Sequence, residues 1–96
     1  MSDVRTVARL CKVLSVDTRV RILDLLRARV LCVNALAERL KVTPAAVSQH
    51  LRVLRDAGLV VPQKRGYYVH YHLNRKTLGK WRQVVKDALE AEGAPK

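Results

Sequence analysis

Two thiols, three imidazoles and a lopsided set of cations are the side chains of this 96-residue chain that could do chemistry. The thiols, Cys11 and Cys32, are too few for a disulfide scaffold and are expected to stay reduced in a reducing compartment. Two thiols that meet can close a reversible disulfide, carry a persulfide-linked bridge, or hold arsenic(III). Zinc wants four ligands, and no histidine lies near either cysteine in sequence, so a zinc site would need a second copy or outside ligands. The thiol pair is therefore expected to take arsenic(III) or another thiophilic species, or to respond to redox state with no bound cofactor. Both cysteines can also be read as small buried apolar residues, and Cys11 falls in an apolar stripe that favours this. Cys32 opens a predicted helix, a position that favours reactivity. His70 and His72 stand two apart on a predicted strand; two ligands hold a metal weakly, and contact with phosphate or water suits them better. His50 flanks a helix core and reads as a structural hydrogen-bonding residue.

The cations are concentrated. The formal net charge is +11 and the sequence pI about 10.5. Between residues 39 and 82, ten basic side chains face only Asp56. A polyanion is the expected partner, either nucleic acid or an acidic membrane surface. No apolar run approaches the ~18 residues of a membrane span, and Met1 to Arg9 contain no apolar h-region, so a cytoplasmic location is expected. There is no Cys-x-x-Cys, no Ser/His/Asp arrangement and no Gly-rich phosphate loop, and an enzyme is not expected.

The elements that must position these residues follow from periodicity. Val4, Val7, Cys11 and Leu14 mark one face of a first helix, roughly 4 to 14. Asp17 to Ala28 forms a second helix, its buried side supplied by Ile22, Leu23, Leu25 and Leu26. Val33, Leu36, Ala37 and Leu40 carry a third, and after Lys41-Val42 a fourth helix runs from about 44 to 57. Thr43 is its N-cap candidate, Pro44 suits the first helical position, and Gly58 is a ready C′ residue. The period then drops to two: Leu59 to Pro62 is one strand, Lys64-Arg65-Gly66 a turn, and 67 to 74 a second strand. Leu78, Trp81, Val85 and Ala88 stripe a last helix, about 76 to 91. The fold class is mainly α with a β-hairpin, in the order of four helices, two strands and a fifth helix, spanning 1–96 as one domain.

The third and fourth helices, joined by about three residues, have helix-turn-helix spacing. Ala37 is small where they cross, Val42 plugs the turn and Val47 packs back. The following hairpin makes the unit a winged helix, whose second helix enters a major groove while the Lys64-Arg65 wing tip reaches phosphates or a minor groove. At 100° per residue, Ala45, Ser48, Gln49, Arg52 and Asp56 face away from the core. Gln49 can pair with adenine, Ser48 is permissive, and Ala45 can touch a thymine methyl. Arg52 and Arg55 are expected on phosphates, and Thr43, Lys64 and Arg65 complete the expected contact set for double-stranded DNA. This choice sets aside the membrane, because the terminal helices lack a basic amphipathic split with bulky aromatics.

The runs Leu14 to Leu23, Leu31-Cys32-Val33, Ala46 to Val60 and Gly66 to Tyr71 together resemble the ArsR/SmtB family of bacterial winged-helix repressors. The resemblance covers about residues 8 to 74, with Ala46 to Val60 its most specific part. It implies a homodimer built from the first and last helices, here through Val4, Val7, Leu78, Trp81 and Val85, and release of DNA when an inducer binds. The two apolar terminal stripes agree, since an exposed stripe calls for a partner, although both helices could instead pack on their own core. A C2 dimer would set two recognition helices about one DNA turn apart, on an inverted-repeat operator.

The chain also departs from the family pattern. Cys32 matches the first position of a Cys-x-Cys sensing arrangement, but Asn34 stands at the second. Residues 76 to 92 contain no His or Cys, so the family's second sensing site is missing. Lys41 replaces a frequent turn glycine. The resemblance thus implies a repressor released by a thiol-reactive inducer, arsenite or a sulfide or redox species, at Cys11 and Cys32. The alternative is a winged-helix DNA-binding or adaptor protein with structural cysteines and no inducer site.

Overall fold

Five helices and three short strands make up the computed structural model, which describes residues 4–90. The elements are α1 (Val4–Val13), α2 (Asp17–Ala28), β1 (Leu31–Cys32), α3 (Val33–Leu40), α4 (Pro44–Asp56), β2 (Val60–Arg65), β3 (Tyr68–Leu73) and α5 (Arg75–Leu89). The expected winged helix is present, with one strand more than periodicity indicated. β1 has only two residues, and it pairs antiparallel with β3 to make a three-stranded sheet in the order β1-β3-β2. Two residues carry no period, so only the partner strand defines this element.

The caps explain most boundaries. Thr43 is the N-cap of α4, its Oγ1 accepting the Ala46 N–H at 3.1 Å, and Pro44 takes the first turn, where no N–H is missed. Gly58 ends the helix with φ 80. Asn74 caps α5 by accepting the Thr77 N–H at 3.2 Å, which starts that helix at Arg75, one residue earlier than its apolar stripe indicates. The expected hairpin turn is displaced. Lys64 and Arg65 still pair with Val69 and Tyr68, so the loop is Gly66-Tyr67. Gly66 has φ 63 and Tyr67 does not share a positive φ, the pattern of a two-residue II′ turn. Pro62 sits in β2, where an edge strand tolerates its missing N–H.

The core gathers Ile22 and Leu26 of α2, Leu36, Ala37 and Leu40 of α3, Val47, Leu51 and Leu54 of α4, and Leu59, Val60 and Leu73 at the sheet's base. Ala37 and Val47 are buried at the helix crossing and Val42 packs beside them, as their types predict. The terminal helices behave differently. Of α1 only Leu10 is buried, while Val4, Cys11 and Leu14 of its stripe are exposed. α5 has no fully buried residue; Leu78 and Trp81 lean on the core, and Leu89 is exposed. α1 and α5 pack on each other. Arg19 ties three helices together: its Nε donates to His50 Nδ1 at 3.3 Å and its Nη1 to the Val13 carbonyl at 3.1 Å. His50 thus has the structural hydrogen-bonding part expected of it.

Candidate nucleic-acid interface

α4 is held so that one face is free. Val47, Leu51 and Leu54 fasten its inner side to the core, which turns Ala45, Ser48, Gln49, Arg52, Arg55 and Asp56 to the exterior, all exposed. From Ala45 to Arg52 this face runs about 10 Å along the axis at 1.5 Å per residue. A major groove is roughly 12 Å wide. The small side chains of Ala45 and Ser48 let the backbone approach closely, and Gln49 supplies an amide of the right shape for a base edge. Arg52 makes no ion pair among the described residues, so its guanidinium is available to an external anion. Arg55 lies 3.9 Å from Asp56, both exposed, a weak pair that a phosphate would outcompete. Thr43 is exposed at the helix start, with its hydroxyl already engaged in the cap.

The turn that delivers α4 is strained. Lys41 adopts φ 59 and ψ 45, the left-handed region that disfavours a side chain. Its amide and that of Val42 both donate to the Ala37 carbonyl, which holds the bend. The departure from a turn glycine therefore falls where φ is positive.

The wing carries Lys64 and Arg65 on β2, exposed, with Arg65 Nη2 donating to Gln63 Oε1 at 3.4 Å. The residues at the tip itself are Gly66 and Tyr67. Tyr67 is 99% exposed, and Tyr68 and Val69 are exposed too. Strict alternation along 67 to 74 puts Tyr67 and Val69 in line with Tyr71 and Leu73 on one face. Only the latter two reach the core, because the hairpin extends past it. The exposed tyrosine tip was thus hidden by a period that says which face a residue is on, not what lies beneath it.

Cys11 is exposed on α1, and Cys32 is half-buried as the N-cap of α3; both are free thiols. β1 places Cys32 directly opposite His70 of β3, and His70 opposite Gln63 of β2, so the three share one face of the sheet. His70 Nδ1 is buried without a hydrogen-bond partner. This neighbour of Cys32 could not be seen in sequence, since 38 positions separate the two. His72 lies farther along the same face, opposite Val61. Among the described residues, no group of three or more His, Cys, Asp or Glu is gathered for a metal.

Comparison with known proteins matches residues 17–61 to the model described as bacterial regulatory protein, arsR family. The arsenical resistance operon repressor of Escherichia coli is 33% identical over 88% of this chain and 73% of its own length. A homologue of the cadmium resistance regulatory protein CadC from Staphylococcus aureus is 39% identical over 86% of this chain and 67% of its own. The chain belongs to the arsR family. A homodimeric winged helix-turn-helix DNA-binding domain from Mycobacterium bovis, described as a possible ArsR-family regulator, superposes with a TM-score of 0.72 at 26% identity, covering 97% of this chain and 90% of that one. This arsR-family protein is accordingly a DNA-binding transcriptional regulator with the family's winged-helix architecture. Among its described residues no helix is long and apolar enough to cross a membrane.

Proposed function

We propose that this arsR-family regulator is a homodimeric repressor that binds an inverted-repeat operator and is released by a thiol-reactive inducer. The observation that carries the DNA reading is the free face of α4, small-sided from Ala45 to Ser48, amide-bearing at Gln49 and cationic at Arg52. In this reading Gln49, Ser48 and Ala45 meet base edges. Thr43, Arg52, Arg55, Lys64 and Arg65 meet phosphates. The dimer is supported by the homodimeric mycobacterial neighbour and by the apolar side chains that α1 and α5 leave exposed, Val4 and Leu89 above all. Val7 and Val85, half-buried on those helices, would complete the contact, with Leu78 and Trp81 bridging it to the core. No catalytic part is proposed, and the site of action is the cytoplasm, where the operator is.

The two relatives named for arsenic and cadmium show why membership does not choose the inducer. Cys32 is the favoured thiol, because it is half-buried opposite His70 in the sheet, where modification would disturb both β1 and α3. Cys11 on exposed α1 would join it or resolve it.

Gel shift against inverted-repeat DNA at rising salt tests the first half. About six phosphate contacts would weaken binding roughly a thousandfold between 50 and 200 mM salt; a flat salt response or no preference for an inverted repeat would refute it. Thiol titration and mass spectrometry with arsenite, zinc or polysulfide, read against DNA affinity, test the second. If Cys11→Ser and Cys32→Ser leave the response to each of these unchanged, the cysteines are structural and the protein is a winged-helix binder without this inducer site.

A further inference from the structure

At the foot of the sheet, α2, β3 and α5 line an open cleft of about 420 Å³ that the DNA reading does not use. Arg27, Arg75 and Arg82 line it, with Leu73 and Leu78 as its floor and Gly79 between the two α5 arginines. A second hollow of about 290 Å³ shares Arg27, Leu73 and Arg75 and adds Arg29 and His72. Arg75 and Arg82 are seven residues apart, so they lie on one face of α5, two turns apart. Gly79 keeps the space between them open, since a Cβ there would meet nothing within 4 Å.

The charges are poorly compensated. Asp24 lies 4.0 Å from Arg27 and both are largely exposed. Among the described residues Arg75 and Arg82 make no ion pair with a carboxylate. Arg75 Nη2 donates to the Arg27 carbonyl at 3.1 Å, which leaves four of its five N–H donors free. The first turn of α5 carries no acidic residue, so the positive end of the helix adds to the same field. Three cationic side chains line one cleft, and like charges sharing a site repel one another until an anion joins them.

We propose that this cleft binds a small organic anion, with one carboxylate or phosphate held by Arg75 and Arg82 and an apolar body resting on Leu73 and Leu78. A guanidinium fork matches either headgroup bidentately. A volume of this size is typical of small-molecule sites, and the leucine floor has no use for a bare inorganic ion. The nucleic-acid backbone is a poorer occupant. Leu73 ends β3 five residues from Tyr68, about 16 Å from the wing turn. It pairs with Val60, beyond the C-terminal end of α4, whereas the proposed reading face is at the N-terminal end. The cleft also touches α5, the helix proposed to carry the dimer contact, so an occupant is placed to bias DNA affinity.

The test uses the full chain without DNA, so it stands whether or not the operator reading holds. Backbone amide NMR is followed at fixed ionic strength during titration with phenyl phosphate, benzoate and inorganic phosphate. Saturable shifts are expected at Leu73, Leu78 and Gly79 with one of the two aromatic probes, and that probe identifies the headgroup. Inorganic phosphate should bind roughly tenfold more weakly, for want of the apolar contact. Arg82→Gln should weaken the aromatic probe by about tenfold or more, and Gly79→Leu, which fills the cleft while improving helix propensity, should abolish binding. Arg52→Gln, on the α4 face, should leave it unchanged. The proposal is overturned if no probe saturates, if inorganic phosphate binds as tightly as the better of the two aromatic probes, or if Arg52→Gln weakens that probe as much as Arg82→Gln does.

Discussion

Lys41 offers the sharpest check on how the helix-turn-helix is built. Its backbone is left-handed at φ 59 and ψ 45, and the shared acceptor at Ala37 holds it there. A non-glycine residue in that region costs about 1–2 kcal/mol. Lys41→Gly removes this strain but frees the unfolded chain, which takes back about 0.4–1 kcal/mol. The expected net gain is about 0.5–1 kcal/mol, a rise in Tm of some 2–8 °C for a domain of this size. Lys41→Ala is the control: it removes the same charge and retains the Cβ, so it should leave stability within about 0.5 kcal/mol of the parent. Thermal and urea unfolding of the three proteins at one protein concentration reads the difference, since the Tm of the proposed dimer would depend on concentration. Both variants lose one cation, so DNA affinity measured alongside separates charge from backbone. If Lys41→Gly is no more stable than Lys41→Ala, the turn is not strained and the account of how α4 is delivered fails.

Other perturbations address the cap, the tie between helices and the reading face. Thr43→Ala removes the acceptor for the Ala46 N–H and should cost about 1 kcal/mol in urea unfolding. Arg19→Met deletes the donors to His50 and Val13 and should destabilise by about 1–3 kcal/mol in urea unfolding, and an unchanged midpoint would refute the tie. Gln49→Ala should cost about 1–3 kcal/mol of discrimination between operator and scrambled DNA with an unchanged salt slope. Arg52→Gln should weaken both DNAs alike and lower the salt slope by about one. Fluorescence anisotropy at three salt concentrations distinguishes these two patterns, and interchange of them would reverse the assignments.

How much was legible differs by element. The helix-turn-helix was readable because its information is local: Thr43-Pro44 starts a helix, Gly58 ends it, and Ala37, Val42 and Val47 have the sizes a tight crossing requires. The wing is readable as a hairpin, but its turn, expected over Lys64-Arg65-Gly66, is Gly66-Tyr67, since several turns fit the same glycine and cross-strand pairing chooses among them. The terminal stripes were visible, yet periodicity does not say what a stripe faces. In the single chain Leu10, outside the α1 stripe, is the buried residue, and Val4 and Leu14 stay exposed.

From the sequence alone came the helix order, the winged-helix class, the outward set on α4 and the excess of cations, all of which follow from neighbours within one or two turns. Tertiary structure alone decided three things. It made β1 from two residues and so brought Cys32 opposite His70. It turned Tyr67 out at the wing tip. And it gathered Arg27, Arg75 and Arg82 from α2 and α5 around one leucine-floored cleft. Each depends on which distant segments the core holds side by side. No local period encodes that, because it is set by the burial of Ile22, Leu36, Leu51, Leu54 and Leu59 together.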